Sequence, residues 1–437
     1  MGNLLKRCLP FGLVGVVSVW IAFSNASTGD YPADAGPAVH ALAHGQISTY
    51  FSIPAMMGPF STLVQAPFAA LAGSGELAEY RWASLPCLLA AGLLGLYLAG
   101  FARRRGASNF TQALIAGLCL VNPLTFEALR MGHPEEILTA ALAVAAVASA
   151  AEGRRWRAAV LLGLAVASKQ WAVIAILPVL MALPARRVQA GLVAAVVAFL
   201  LVLPGFLAAP DAFKEVHDNA ASTGRVVTPW SVWYPAAGVV TEHYTVDSMR
   251  LTARVHEAPP LVGSLSHPLI VLLAIGLPLA LAACRQRFRL DGADAMGLLA
   301  LLALLRCVLD PVDNLYYHLP FLLALLGWDA FAAKGLPVRG LLGAGFALLF
   351  WRWSQSLTDV YAFNAAYLAV TLTATVAITW ALLRRSPQRA GPARGRTFVW
   401  LEMDSVGKLR NFEESVRRLF VGAMRKVGLR LNQGLKG

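Results

Sequence analysis

Apolar residues run along most of this chain in blocks of roughly 20, the length that carries a helix across the hydrocarbon of a bilayer. The first block, Leu9 to Asn25, has the length of a secretory signal but no small-residue cleavage pattern, and further apolar blocks follow it, so it reads as a span. Further blocks run from Trp82 to Phe101, Phe110 to Phe126, Pro134 to Ala151, Ala190 to Ala209 and His267 to Ala283. An outward run to Leu309, a return from Leu315 to Ala333, an outward run to Trp353 and a last return to Arg384 complete the series. Ala158 to Leu183 differs: it is bounded by basic residues at both ends, so two short arms with Lys169-Gln170-Trp171 near the tip are expected. Ile53 to Gly73 is apolar but carries Pro54, Pro59 and Pro67, which suit short interfacial helices better than a straight span.

Composition agrees. Apolar residues make up 57% of the 437 positions and charged residues only 14%, against roughly 25% charged in soluble domains. A net charge of +13 points to nucleic acid in a soluble protein. Here the basic residues bunch at alternate ends of the apolar blocks instead, and positive charge is retained on the cytoplasmic side. Lys6-Arg7, Arg103-Arg104-Arg105, Arg154-Arg155-Trp156-Arg157, Arg186-Arg187, Arg285 to Arg289 and the tail then lie inside. Together with Arg384-Arg385 and the inner turn that holds Lys334 and Arg339, these inferred cytoplasmic segments carry 28 of the 37 Lys and Arg, while 16 of 24 Asp and Glu fall elsewhere. The expectation is an all-α transmembrane bundle over 1–385 with about 12 crossings, both termini inside, and outer loops at 27–81 and 210–266. It belongs in a bacterial inner membrane. The tail, 386–437, is expected to be cytoplasmic and basic, with an amphipathic helix over 411–431 that suits an anionic membrane surface or a partner protein.

Polar residues at membrane depth are costly and are functional suspects. Asp30 and Asp34 follow the first span, ahead of a short stretch holding His40 and His44. Either acid is placed for general-base work, or caps the following helix. Arg130-Met131-Gly132-His133-Pro134-Glu135-Glu136 forms the next outer turn, where the acids serve a site or complement the dipole of the span they begin. Lys169, with Gln170, sits at the hairpin tip, where its ammonium meets a lipid-linked phosphate, snorkels to headgroups or pairs with Glu135 or Glu136. The 210–266 loop carries Trp230 and Trp233, suited to sugar faces and equally to an interfacial belt. Arg306 lies inside a span and is followed by Asp310, Asp313, Tyr316, Tyr317 and His318; Arg306 and Asp310, at i and i+4, form either a structural pair or part of the cavity. The five cysteines show no metal or disulfide spacing and are expected to be packing residues. No phosphate-binding loop, dinucleotide fingerprint or His-Glu-x-x-His motif is present.

These features together resemble the GT-C superfamily of membrane glycosyltransferases. The closest likeness is to the bacterial polyprenol-phosphate-mannose-dependent branch of the glycosyltransferase family 87 type. Its carriers are an acid after the first span leading to Gly45, the proline-rich Gly58-Pro59-Phe60 to Ala66-Pro67-Phe68, Gly132-His133-Pro134-Glu135-Glu136, Gly163 to Lys169 closed by Leu177-Pro178, and Asp310 to Pro320. The resemblance implies inverting transfer of a mannose-like hexose or a pentose from a polyprenyl-phosphate donor to a lipid, glycan or protein acceptor on the outer face. Asp30 or Asp34 would be the base. Lys169, Arg130 and Arg306 would hold the donor phosphate, and His133, Glu135, Glu136, Gln170, Trp230, Trp233, Asp310, Asp313, Tyr316, Tyr317 and His318 would line the substrate. No cofactor is expected, no divalent metal is indicated, and the membrane itself is the partner of the tail. A transporter or flippase for a lipid-linked saccharide is the alternative, using the same cations and aromatics without a base.

Overall fold

The computed structural model describes residues 2–53, 57–211, 213–214, 226–246, 249–332 and 335–384. Part of the outer loop expected over 210–266, including positions 215–225, and the amphipathic helix expected over 411–431 lie outside the described residues.

The chain begins with α1 (Gly2–Ser24) and then four short helices, α2 (Tyr31–Asp34), α3 (Gly36–Ala43), α4 (Ile47–Ser52) and α5 (Pro59–Ala69). Longer helices follow: α6 (Glu76–Arg104), α7 (Asn109–Leu120), α8 (Pro123–Arg130), α9 (Pro134–Ala151) and α10 (Arg155–Ser168). A 3-10 turn (Gln170–Ala175) leads to α11 (Ile176–Ala182) and α12 (Arg187–Ala208). After the strands β1 (Gly238–Val246) and β2 (Met249–Glu257) come α13 (Pro260–Cys284), α14 (Gly292–Leu309), α15 (Leu319–Ala332), α16 (Val338–Ser354) and α17 (Val360–Arg384). Among the described residues, eight helical stretches are long and apolar enough to cross a membrane, with α7 and α8 (Asn109–Arg130) counted as one and α15 counted with the 3-10 turn before it (Leu315–Ala332), while Cys8–Ser24 and Gln170–Ala182 are shorter apolar helices.

The middle of the bundle is α9 with α14 and α15, each buried over most of its length. Alanine at 140, 141, 143, 146, 148 and 150 lets neighbouring helices approach α9 closely, the usual way helices associate without a hydrophobic driving force. By contrast α12 buries only Ala190 and Ala194 and presents Val188, Leu192, Val196 and Phe199 outward, as a lipid-facing helix does. The arginine-rich turns gather at one end. There Glu152 takes Arg104 at 2.8 Å and Arg154 at 3.1 Å, Phe101 packs on Phe331 at 4.2 Å, and Leu290 N–H donates to Met181 O.

Three features differ from, or refine, the hydrophobic pattern. The block Phe110 to Phe126 is not one helix, because Asn122 accepts from the N–H groups of Leu124 and Thr125 at 3.0 Å and Pro123 starts α8. An asparagine cap with proline at the first helical position restarts the chain in a new direction. The expected all-α architecture is interrupted by the antiparallel hairpin β1–β2, paired from Gly238↔Glu257 to Val246↔Met249. Val239, Val240, Thr241, Tyr244, Thr245 and Val246 favour that conformation, and apolar block length does not register it. The stretch Ala158 to Leu183 does divide as its two basic ends require. Lys169 adopts extended dihedrals (φ −149°, ψ 135°) and breaks the helix between α10 and the 3-10 turn.

Candidate active site

The end of the bundle opposite the arginine-rich turns collects Asp30, His133, Lys169, Arg306 and the 310–318 turn. Each lies beside a helix terminus or, for Arg306, in the last turn of α14, so the antiparallel path of the helices brings them to one end. Two backbones crossing at close range fix the first of these groups. Gly29 (φ +50°) and Gly132 (φ +87°) both hold left-handed conformations, and a Cβ on Gly132 would lie 2.5 Å from Thr28 O and from Tyr31 N. Only glycine permits that approach. The crossing is pinned by the Asp30 N–H donating to Met131 O at 3.0 Å. Tyr31, packed on Tyr80 with ring centroids 4.8 Å apart, anchors the acid loop from below, and Tyr80 Oη donates to Leu129 O at 2.6 Å.

Asp30 is thereby held against His133, with Oδ2 to Nε2 at 3.5 Å. The other imidazole nitrogen, Nδ1, contacts Glu135 Oε1 at 3.0 Å. Glu135 is fully buried and also receives Lys169 Nζ at 3.1 Å. Lys169 reaches Glu136 Oε1 at 3.5 Å, and Glu136 Oε2 accepts from Trp171 Nε1 at 2.8 Å. Arg306 completes the row: its guanidinium lies 5.2 Å from the Trp171 ring and 4.4 Å from that of Tyr317, and its NH1 has no hydrogen-bond partner. Tyr316 stacks on His133 with centroids 5.0 Å apart and lies edge-on to Tyr317. Gly58 N–H donates to Ser168 O at 3.0 Å, which seats the start of α5 against the residue before Lys169.

Charge explains why this row is stable. Burial pushes His133 down, but the Glu135 charge and hydrogen bonds to Asp30 and Glu135 outweigh it and leave the imidazole pushed up to about 9. The resulting imidazolium, hydrogen-bonded to Asp30, holds that carboxyl below the usual carboxylate range despite partial burial. Asp34, half-buried, moves the other way: burial raises it, only partly offset by His133 and Lys169. The two first-loop acids thus face one cluster with opposite shifts. Asp30 is the more open, its side chain 60% exposed.

The other residues singled out in the sequence fall into two groups. Arg130 is held by Glu127, Nε to Oε2 at 2.8 Å and NH2 to Oε1 at 2.6 Å, and Glu127 also accepts from Trp351. That pair stands apart from the Lys169 row. Gln170 is exposed. Asp310 Oδ1 accepts from Val312 N–H and shapes the turn after α14. Trp230 is buried among Phe350, Phe363 and Tyr367, and Trp233 Nε1 donates to Leu309 O at 2.8 Å. Trp233 therefore ties the 226–234 segment to the end of α14, while Trp230 ties it to α16 and α17. His318 Nε2 lies 3.0 Å from Tyr367 Oη and 3.8 Å from Asp313 Oδ2. Beside them is a residue read from sequence as packing: Cys307, Asp313 and His318 each offer one potential ligand atom, all within 4.8 Å of one another. The missed signal was Cys307 followed by Asp313 and His318 across a helix end, six and eleven residues on.

No curated protein and no solved structure matches the chain. The profile of glycosyltransferase family 87 does, over residues 57–311. The matched span contains His133, Glu135, Glu136, Lys169 and Arg306; Asp30 precedes it and His318 follows it. Covering more than half of the 437 residues, and enclosing the buried row of ion pairs at one end of a helical membrane bundle, the match shows that the chain belongs to glycosyltransferase family 87.

Proposed function

We propose that the chain transfers a sugar from a polyprenyl-phosphate donor to a hydroxyl acceptor at the bundle end opposite the arginine-rich turns, the extracytoplasmic face, with Asp30 as general base. The observation that carries this reading is a half-open carboxylate, Asp30, oriented by a buried His133–Glu135–Lys169 row that holds it ionised. In the step, the acceptor oxygen attacks the anomeric carbon while Asp30 takes its proton. The bond from that carbon to the phosphate oxygen breaks, and its electrons leave with the polyprenyl phosphate, inverting the anomeric centre. Negative charge grows on that phosphate, so a cation already in place stabilises the transition state more than the ground state.

Arg306 is the cation best suited to that work. Its NH1 lacks a partner, and the ring faces of Trp171 and Tyr317 hold the guanidinium in place. Lys169 is already matched by two carboxylates and Arg130 by Glu127, so Lys169 acts by fixing Glu135 and His133. Tyr316, stacked on His133, presents an aromatic face beside the base where a sugar ring packs. The lipid tail of the donor stays in the bilayer beside lipid-facing helices such as α12.

The test is turnover by the purified full chain in nanodiscs across a panel of polyprenyl-phosphate sugars, with Asp30→Asn and Asp34→Asn in parallel. Loss of a positioned base lowers rate by about 10²–10⁴-fold, so Asp30→Asn should lose turnover on that scale while still binding donor. Turnover surviving in both variants defeats the base assignment. Donor moved across the bilayer without transfer favours the flippase reading.

A further inference from the structure

Behind the row of ion pairs, Cys307 near the end of α14, Asp313 in the following turn and His318 at the start of α15 converge at full burial. We propose that Cys307 Sγ, an Asp313 carboxylate oxygen and His318 Nε2 form a three-ligand site for a divalent cation of the zinc class.

Three observations support it. First, the donor set is thiol, carboxylate and imidazole. That combination suits zinc-like cations and not magnesium or calcium, which take oxygen ligands. Second, Asp313 is 0% exposed, yet its Oδ1 has no hydrogen-bond partner, and beyond a backbone contact from Asn314 its carboxylate meets the Tyr367 hydroxyl at 3.5 Å and His318 at 3.8 Å. A buried carboxylate so weakly satisfied calls for a positive charge. Third, His318 Nδ1 sits 3.1 Å from Leu315 O. A ring N–H donating to a backbone carbonyl fixes the tautomer and leaves Nε2 with its lone pair toward Asp313, the arrangement typical of a metal-ligating histidine.

Loading the site involves modest changes. Ligand distances of 2.0–2.3 Å in a tetrahedron separate donor atoms by roughly 3.5 Å, so the three atoms, now within 4.8 Å, draw together by about an ångström. The thiol proton, now donated to Tyr317 O at 3.2 Å, leaves to solvent as the thiolate binds. Tyr367 Oη, 3.0 Å from Nε2, gives up that nitrogen and either stays on Asp313 or takes the fourth position. A loaded site clips the end of α14 to the start of α15. The clip fixes Arg306 and Tyr317, the sequence neighbours of Cys307 and His318. It is independent of the transfer reading and stands or falls by metal content alone.

The experiment uses the full chain purified in nanodiscs without chelator, its metal measured by plasma mass spectrometry, then exchanged with cobalt(II). Wild type is expected to carry about one zinc-class ion per chain and to develop thiolate-to-cobalt charge-transfer absorption in the near ultraviolet. Cys307→Ser should abolish that band. Asp313→Asn and His318→Gln should lower metal content at least about tenfold, the lower end of what even an outer-sphere partner costs. Cys8→Ser and Cys284→Ser, at exposed positions, should leave both readings unchanged. A wild-type chain without stoichiometric metal that gives no charge-transfer band on cobalt addition overturns the proposal, whatever the variants do. So does a band that survives Cys307→Ser.

Discussion

Removing one partner from the Glu135–Lys169 pair tests the central electrostatic claim most directly. The two groups are 3.1 Å apart, Glu135 is fully buried, and Lys169 also serves Glu136 at 3.5 Å. At an effective dielectric of 20, unit charges at these separations attract by about 5 kcal/mol. Desolvation offsets much of that in the intact pair, but deleting one partner strands the other, which costs about 3–5 kcal/mol. Glu135→Gln leaves Lys169 with Glu136, and His133 with Asp30. Lys169→Met leaves Glu135 with His133, and Glu136 with Trp171 and the more distant Arg306, so two buried acids lose their shared ammonium and the change is expected to cost more. With unfolding entropy near 2.1 cal/mol/K per residue, a 4 kcal/mol loss lowers the melting temperature of the 437-residue chain by roughly 4 °C. Buried Cys87, Cys119 and Cys307 supply the assay, since a thiol-reactive dye labels them only on unfolding once exposed Cys8 and Cys284 are replaced by serine. The double variant Glu135→Gln/Lys169→Met should fall short of the sum of the singles by roughly 2 kcal/mol, as expected for residues in contact. Additive losses, or Lys169→Met milder than Glu135→Gln, would refute the pairing.

Three further outcomes follow. His133 is pushed from 6.5 up to about 9 on folding, so the stability it contributes is complete below pH 6.5 and lost as the pH climbs through about 9; at one pH unit per 1.4 kcal/mol this is on the order of 3 kcal/mol. Melting temperature measured from pH 6 to 10 should drop for wild type and flatten for His133→Gln; equal slopes would remove His133 as the cause. Gly132→Ala forces a side chain into the left-handed region and against the Asp30 loop, a strain of about 1–3 kcal/mol; transfer should fall at least tenfold in a chain that still inserts, and normal activity would mean that the crossing is dispensable. Arg306→Gln should lower kcat and kcat/KM for the donor at least tenfold, whereas Arg130→Ala, which removes only a half-exposed i,i+3 pair of about 0–1 kcal/mol, should leave both within twofold; a reversed order would move the phosphate handle to Arg130.

Most of the helices could be read from apolar block length, because a bilayer demands about 20 apolar residues per crossing and tolerates few charges. The site was partly legible for a related reason. Gly132, His133, Glu135 and Glu136 cluster in the chain, and Lys169 is the one charged residue between Arg157 and Arg186, so their cost at membrane depth marks them out. Pairing of Lys169 with Glu135 or Glu136 is one of three readings that the sequence leaves open, and the geometry shows both contacts. What could not be read were contacts between distant segments: Trp351 on Glu127, Trp230 between α16 and α17, and Asp313 against Tyr367. Such partners leave no periodicity. The hairpin β1–β2 was missed because its alternation is short and sits in a segment expected to be loop.

The crossing of the Asp30 loop with Gly132 also has a consequence for how the protein is made. Asp30 leaves the ribosome about a hundred residues before Met131, whose carbonyl is the acceptor that positions it. During that interval α6, α7 and α8 are threaded, and the acid has no fixed place. Chains released before residue 131 carry Asp30 but not the backbone that orients it. Asp30 therefore gains its orienting backbone in one step, when the turn ahead of α9 arrives with His133 and Glu135, while Lys169 and Arg306 join only later.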